Sequence, residues 1–82
     1  MIKVKAHGHI GRALGKEEFE ISREEIRVKE ILELVASSSN FKPSPLTMLI
    51  TVNGVEISAL DKEDTIVRSG DKVAFIPITH GG

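Results

Sequence analysis

The sequence predicts an α+β fold in which one main helix packs on one face of a mixed sheet of about five strands. Two observations lead to this prediction. Segments of alternating apolar and polar residues flank a single stretch of helical periodicity, and their order along the chain suits one sheet covered on one face. With 82 residues and no segment typical of a linker, the chain is expected to form one domain with a modest core.

Two alternating segments near the start of the chain predict a β-hairpin. Over residues 2–6, apolar side chains occupy one face and Lys3 and Lys5 occupy the other, which is the period of a strand. Alternation returns over residues 17–22, so glutamates of this second strand are expected to lie opposite the two lysines. The glycine-rich segment 8–16 between the strands is predicted to be a plain connecting loop.

The glycine-rich segment does not match a phosphate-binding motif. A Walker loop ending at Lys16 needs glycine at position 10 and Ser or Thr at position 17, where the chain has Ile10 and Glu17. The spacing of a dinucleotide-binding motif is absent as well. Nucleotide binding by this segment is therefore not expected.

A single helix is predicted over residues 28–38. Apolar residues recur there at spacings of three and four, which places them on one stripe of a helix. Serines follow, and Pro43 and Pro45 prevent the helix from resuming. The charged segment 22–27 is expected to be an exposed connector, with a docking patch as the functional alternative. The stripe consists of Val28, Ile31, Leu32 and Val35, widened by Leu34.

A second group of strands is predicted after the helix. Residues 48–52 alternate in polarity, and the Asn53-Gly54 pair that follows is typical of a tight hairpin turn. Residues 55–58 are therefore expected to form a short partner strand. A tight turn or one turn of 3₁₀ helix is expected over residues 60–64.

Residues 72–78 form the predicted last strand. Ile66 and Val67 are expected to be buried before it, and a turn over residues 69–71 leads into it. Pro77 fits the margin of a strand and not its middle. The first and last strands are expected to pair in parallel in the middle of the sheet, which is the β-grasp arrangement.

The open face of this sheet is the first candidate functional surface. If alternate residues of the third and last long strands face the helix, then Leu49, Ala74 and Ile76 face solvent together with Thr51. An apolar patch on an open sheet face is typical of a partner-docking surface. Ordinary exposed aliphatic side chains are the alternative.

Composition excludes several classes of protein. The chain has no cysteine, which excludes disulfides, thiolate metal sites, iron–sulfur clusters and a cysteine nucleophile. A formal net charge of −1 and only three aromatic residues argue against a nucleic-acid partner. No apolar run suits a membrane-spanning helix, and the first residues do not resemble a signal peptide. A cytoplasmic monomer that binds neither membrane nor nucleic acid is therefore expected.

The three histidines are the candidates for a metal site. His7, His9 and His80 have no fixed carboxylate or thiolate partner in the sequence pattern, so no metal site is predicted. The sequence also lacks the signature of a nucleophile–histidine–acid triad. No catalytic residue is therefore predicted.

The last four residues carry the main functional signal. Residues 79–82, Thr79-His80-Gly81-Gly82, are expected to form a flexible tail beyond a domain of residues 1–78. Glycine has no Cβ, so it can enter a channel that excludes other residues, and it leaves a terminal carboxylate sterically bare. Extended, the tail reaches about 13–14 Å, enough to enter the active site of another protein. A frayed end that happens to finish in glycine is the alternative.

These features together resemble the small β-grasp sulfur carriers and ubiquitin-like modifiers. This family includes the molybdopterin synthase small subunit, the thiamine-pathway sulfur carrier, the archaeal small modifiers and the ubiquitin-related modifier. The resemblance covers the whole chain and rests on the order of individually weak motifs together with the terminal diglycine. The matching segments are Ile2-Lys3-Val4, Val28-Lys29-Glu30-Ile31-Leu32, Val52-Asn53-Gly54, Gly70-Asp71-Lys72-Val73-Ala74-Phe75-Ile76-Pro77 and Gly81-Gly82.

The resemblance implies a carrier protein and not a catalyst. A ubiquitin-activating-type enzyme would use ATP to adenylate the carboxylate of Gly82, and the carrier itself would bind no cofactor. A sulfurtransferase step would then give a thiocarboxylate. Alternatively, target lysines would form isopeptide bonds, which a deconjugating metalloprotease would cleave. Gly82 would be the site of adenylation and covalent attachment, Gly81 would have a steric role, and Thr79 and His80 would guide the tail.

The resemblance also implies a docking surface and leaves two alternatives open. Leu49, Ala74 and Ile76 would dock the activating enzyme. One alternative is a dedicated small subunit of molybdopterin synthase, whose tail would enter the active site of the large subunit in molybdenum cofactor biosynthesis. The other is a non-covalent β-grasp interaction module with an incidental diglycine. The sulfur acceptor would be a molybdopterin precursor, a thiolated tRNA base or a thiazole.

Overall fold

A five-stranded mixed sheet forms the frame of the protein, and an 11-residue helix packs across one of its faces. The structure is a computed structural model that describes residues 1–78. In chain order its helices and strands are β1 (Ile2–Ala6), α1 (Gly8–Leu14), β2 (Glu18–Ile21), β3 (Glu25–Arg27), α2 (Val28–Ser38), β4 (Met48–Val52), β5 (Val55–Glu56), β6 (Ile66–Arg68) and β7 (Lys72–Pro77).

The strand order of the sheet is β2-β1-β7-β4-β5, and β3 and β6 form a separate two-stranded pair. The first and last strands, β1 and β7, pair in parallel at the centre. The other pairs in the sheet are antiparallel. The predicted α+β fold, with its β-grasp arrangement and its single covered face, is confirmed.

The register of the first hairpin is the one predicted from charge. Lys3 lies opposite Glu20 and Lys5 lies opposite Glu18, with all four side chains exposed. Opposite charges across an antiparallel pair favour this register. A slip by one residue would also turn the buried side chains of β1 toward solvent.

Helix α2 spans the predicted residues, and its apolar stripe is buried in the core. At its start, the Arg27 N–H donates to Glu30 Oε1 over 3.1 Å, and the Arg27 guanidinium donates to the Asp64 carbonyl over 2.8 Å. At its end, the Ser38 hydroxyl donates to the Leu34 carbonyl over 2.8 Å. The prediction that Leu34 widens the stripe is wrong, because this side chain lies at the margin of the stripe and is 46% exposed.

The glycine-rich segment forms helix α1 and not the plain loop predicted from its sequence. Tertiary contacts hold this helix, since Ile10 is buried in the core. A β-carbon added at Gly11 would lie 2.7 Å from the Ala6 carbonyl oxygen, so only glycine permits this approach of helix to strand. A seven-residue segment containing two glycines has low intrinsic helix propensity. The local sequence therefore does not reveal the helix.

The charged segment before α2 contains a strand, which corrects the prediction of a connector. β3 pairs antiparallel with β6, and Arg68 Nη1 lies 2.9 Å from Glu25 Oε1 across the two strands. Ile26, between the charged residues of β3, is buried. On β6, Val67 is buried as predicted, but Ile66 is 36% exposed because neighbouring residues of a strand point to opposite faces.

Two single turns of 3₁₀ helix, Ile57–Ala59 and Lys62–Asp64, connect β5 to β6. The second turn confirms the prediction for residues 60–64. The first begins where the Ser58 N–H donates to the Glu56 carboxylate over 2.7 Å. The partner strand of the hairpin is therefore shorter than the four residues predicted.

Two side chains join the turn after β4 to the turn before β7. The Asp71 carboxylate accepts from the Arg68 N–H over 2.8 Å and from the Asn53 amide over 3.0 Å. The Asn53 side-chain oxygen in turn accepts from the Lys72 N–H over 3.0 Å. The bond from Arg68, followed by that from Asn53, lowers the pKa of Asp71 below its ordinary value of 3.8.

We expect Asp71→Asn to lower the free energy of unfolding near neutral pH by on the order of 1 kcal/mol, because a neutral amide accepts these bonds less well. Since the folded-state pKa of Asp71 is lowered, its stabilising contribution is complete above the ordinary value of 3.8 and is lost as the pH falls through the folded-state value. Urea unfolding from about pH 7 to about pH 2 measures this, and the variant should lose less stability over the acid range. Asp61→Asn, at an exposed carboxylate, is the control. Identical acid profiles for Asp71→Asn and the wild type would contradict the prediction.

Candidate docking face and tail root

Strand β7 is the last strand before the predicted tail, and alternate side chains along it are buried. It lies between β1 and β4, where Val73 and Phe75 are 1% and 0% exposed. Strand geometry turns Ala74 and Ile76 to the opposite, open face of the sheet. Burial of Val73 and Phe75 in the core thus holds the strand in place, and the position of Ala74 and Ile76 on the open face follows from it.

Leu49, Ala74 and Ile76 form an apolar patch on this open face. In the pairing of β4 with β7, Leu49 lies beside Ile76 and Thr51 lies beside Ala74. Leu49 is 40% exposed, and the other three residues are half-buried. The predicted placement of the patch is therefore confirmed, whereas its part in docking stays a prediction.

The apolar patch lies next to the end of β7. Pro77, the last residue of this strand, pairs with Met48 at the start of β4. On the other side, the His7 N–H donates to the Phe75 carbonyl over 2.9 Å. A β-carbon at Gly8 would lie 3.3 Å from Pro77 Cγ, so helix α1 begins directly against the end of the strand. The starts of α1 and β4 thus frame the end of β7.

The tail residues with predicted chemical roles lie outside the described residues. The predictions for them remain predictions: adenylation and covalent attachment at Gly82, a steric role for Gly81, and guidance of the tail by Thr79 and His80. The same holds for the predicted boundary between a domain and a flexible tail.

Neither a metal site nor a membrane-spanning helix is seen in residues 1–78. No group of three or more His, Asp or Glu side chains in this part is placed to hold a metal ion. His7 and His9 lie near the start of α1, one half-buried and one exposed, and His80 lies beyond the described part. Both described α-helices lack the length and apolar content needed to cross a membrane.

The open face also carries three lysines that the sequence analysis did not group together. Lys3 and Lys5 belong to β1 and Lys72 belongs to β7, and all three are exposed. In the parallel pairing of these strands, Lys3 lies beside Lys72 and Lys5 lies beside Ala74. The order of the elements predicted the parallel pair but not its register, and the register makes Lys72 a neighbour of Lys3.

Comparison with known proteins agrees with this fold. The model of the ThiS family matches residues 7–82. No curated protein sequence matches the chain. Among solved structures, the small archaeal modifier protein 1 (SAMP1) of Methanosarcina acetivorans is similar, with a TM-score of 0.78 and 22% identity over 99% of this chain and 95% of that one.

Two solved complexes also contain similar chains. One is the Amycolatopsis orientalis BexX/CysO complex, with a TM-score of 0.78 and 18% identity over 100% of both chains. The other joins subunits 1 and 2 of the molybdopterin-converting factor of Helicobacter pylori, with a TM-score of 0.67 and 21% identity over 99% of this chain and 97% of that one. Identities this low show a shared fold, while the family model covers most of the chain. The chain therefore belongs to the ThiS family.

Proposed function

We propose that this protein is a sulfur carrier or protein modifier that is activated at Gly82 and is not itself an enzyme. The observation that carries the proposal is the position of the apolar patch, which lies at the end of β7 from which the tail continues. A partner that covers the patch stands beside the root of the tail at the same time. Membership of the ThiS family supports this assignment.

The chemistry begins with activation of a carboxylate, which is a poor electrophile while ionised. A carboxylate oxygen of Gly82 attacks the α-phosphorus of ATP in the activating enzyme, and pyrophosphate leaves. Sulfur at the oxidation level of sulfide, supplied by a sulfurtransferase, then attacks the acyl carbon, and AMP leaves. The product is a thiocarboxylate, which can donate its sulfur to an acceptor.

Protein modification follows the same first step. The amine of a target lysine attacks the activated carbonyl, AMP leaves and an isopeptide bond forms. A deconjugating metalloprotease would reverse this bond by hydrolysis. Because the chain has no cysteine, it has no thiol that could capture the activated carbonyl in either route.

The tail residues divide the remaining tasks. Gly81 and Gly82 pass through a narrow channel because neither carries a Cβ. Thr79 and His80 guide the tail into that channel. The activating enzyme contacts the apolar patch, and the body of the protein serves for recognition while the tail serves for chemistry.

The mass of the intact protein tests the proposal. The chain is incubated with a native cell extract, which supplies target proteins and sulfurtransferases, together with a ubiquitin-activating-type enzyme from the same genome, ATP and a sulfur source. A mass increase equal to the replacement of one oxygen by one sulfur, localised to Gly82, is the result expected of a sulfur carrier. Conjugates whose target lysines bear a Val73–Gly82 tryptic remnant are the result expected of a modifier. If neither product forms, the proposal is wrong and a non-covalent interaction module replaces it.

A dedicated small subunit of molybdopterin synthase is the second candidate. The similarity to the Helicobacter pylori complex of subunits 1 and 2 favours it. This candidate predicts a stable one-to-one complex with a large subunit, in which the tail occupies the active site of that subunit. Copurification of the two chains at equal amounts would favour it over a carrier that several enzymes share.

We expect Leu49→Asp to raise the KM of the activating enzyme for this protein by roughly tenfold, because a carboxylate in the centre of a docked apolar patch loses its hydration. The turnover number should change little, since Gly82 is untouched. ATP–pyrophosphate exchange at increasing protein concentration measures both constants. The matched control is Leu34→Asp, which makes the same change at an exposed leucine on α2, away from the patch. Equal KM values for the two variants would contradict a docking role for the patch.

A further inference from the structure

The open face of the sheet places two lysines side by side at its centre. Lys3 on β1 and Lys72 on β7 are direct neighbours in the parallel register, and both are exposed. Like charges on directly neighbouring strands repel and destabilise the sheet. The protein therefore carries a repulsive pair of lysines at exposed strand positions, where many other polar residues would also fit.

No ion pair within residues 1–78 includes either lysine, although Glu20 lies opposite Lys3 in the pairing of β1 with β2. The ion pairs within residues 1–78 join Arg23 to Glu30, Lys29 to Asp64 and Arg68 to Glu25, and none includes Lys3, Lys5 or Lys72. Asp71 directly precedes Lys72 in the sequence, but its carboxylate accepts hydrogen bonds from the Arg68 N–H and the Asn53 side chain. The positive charge of Lys72 in particular is thus available to another molecule.

The lysines border an open hollow of about 390 Å³, which is lined in part by Lys3, Lys5, Lys72, Thr51 and Ala74, with Glu18 at the outer side. Ala74 belongs both to this hollow and to the apolar patch, so the two surfaces are continuous. At the rise of a strand, Lys72 and Ile76 lie about 13 Å apart along β7. One end of the surface is therefore basic, and the end nearer the tail is apolar.

We propose that the enzyme that activates the tail places acidic side chains over Lys3 and Lys72 while an apolar groove of the same enzyme receives Leu49 and Ile76. This inference rests on the proposed function and names the chemistry of its partner. An apolar patch alone does not determine how a partner is rotated about the normal to the sheet. A second, charged contact determines that rotation and directs the root of the tail toward one side of the partner.

The charges around the lysines favour an acidic protein over a nucleic acid. Glu18 and Glu20 on β2 border the lysines of β1, and these acidic side chains would repel the phosphates of an extended strand. The outward positions of β1, β7 and β4 carry no aromatic ring on which a base could stack. An acidic spot on a protein, by contrast, is small enough to lie over Lys3 and Lys72 alone.

Reversal of one lysine charge tests the inference. With the activating enzyme of the same genome, we expect Lys72→Glu to raise the KM for this protein about tenfold at about 10 mM salt, where charges act over roughly 30 Å, and by much less at about 150 mM salt. The turnover number stays unchanged because the Gly82 chemistry is intact. Lys72→Gln, which only removes the charge, should have a smaller effect in the same direction.

Two controls separate this effect from changes in folding and in net charge. Lys42→Glu makes the same charge change at an exposed position in the loop between α2 and β4, and its KM should stay close to that of the wild type. Lys72→Glu creates an opposite-charge pair with Lys3, so its midpoint of thermal unfolding should equal or exceed that of the wild type. A raised KM for Lys72→Glu without a lower midpoint of thermal unfolding is therefore the result expected if this surface binds a partner.

Four results would overturn the inference. If Lys72→Glu has the wild-type KM while Gly82 is still adenylated, the acidic contact is wrong and the proposed function stands. If Lys42→Glu raises the KM as much as Lys72→Glu does, only net charge matters. If a fluorescent single-stranded RNA of about 20 nucleotides binds the wild type at about 150 mM salt and Lys72→Glu abolishes this binding, the surface serves nucleic acid. Absence of any adenylation of the wild type would remove the proposed function and this inference together.

Discussion

Activation is expected to be lost when one alanine is added after Gly82, while the midpoint of thermal unfolding stays at the wild-type value. The addition moves the carboxylate from a glycine onto a residue with a Cβ. A Cβ clashes in a channel that admits only glycine, so this variant should show no measurable adenylation. ATP–pyrophosphate exchange measures the loss.

A second insertion separates the length of the tail from the identity of its last residue. Alanine inserted between Ile78 and Thr79 lengthens the tail equally but keeps the carboxylate on Gly82. This variant should retain activation that the extended chain lacks. If the extended chain forms an adenylate, and its intact mass shows that the added residue was not trimmed first, then Gly82 does not have the proposed role.

The largest loss of stability is expected for Phe75→Ala. The Phe75 side chain is fully buried at the centre of the sheet, and replacing a buried phenylalanine by alanine removes about 3–5 kcal/mol by loss of apolar burial and creation of a cavity. Small domains are stable by roughly 5–15 kcal/mol, so this variant should be close to unfolded at moderate denaturant concentration. Urea unfolding of the purified chain measures the change.

Two matched variants define the origin of that loss. Phe75→Leu keeps most of the buried volume and should lose much less stability than Phe75→Ala. Ile78→Ala removes an exposed apolar side chain just beyond the same strand and should change the free energy of unfolding by less than about 0.5 kcal/mol. A loss below about 1 kcal/mol for Phe75→Ala would contradict the view that the core holds β7 from inside.

Together, these two predictions separate the body of the protein from its tail. Changes at Gly82 are expected to act on chemistry and leave folding intact, whereas changes at Phe75 are expected to act on folding. Phe75 influences activation through the position of its strand, since Ala74 and Ile76 on either side of it form part of the apolar patch. Leu49→Asp and Lys72→Glu test the remaining link, which is recognition of the open face.

Much of the fold was determined by local periodicity. Residues 28–38 repeat apolar side chains at helical spacing, and the helix has these bounds because burial of that stripe decides where it forms. The alternation in residues 48–52 and 72–77 likewise determined which side chains face the core, and so placed Leu49, Ala74 and Ile76 together on the open face. The prediction of a tail also came from the sequence alone, because a diglycine is a chemical feature that does not depend on a fold, and it stays a prediction.

Long-range contacts decided the rest. Helix α1 has weak local propensity and exists because Ile10 enters the core and Gly11 admits the Ala6 carbonyl. Strand β3 is three residues long and gains its backbone partners from β6, about forty residues later. The juxtaposition of Lys3 with Lys72 depends on a register that hydrogen bonds between distant segments set. Periodicity reports which side of an element is buried, but it does not report which distant element lies beside it, and only the tertiary structure supplies that information.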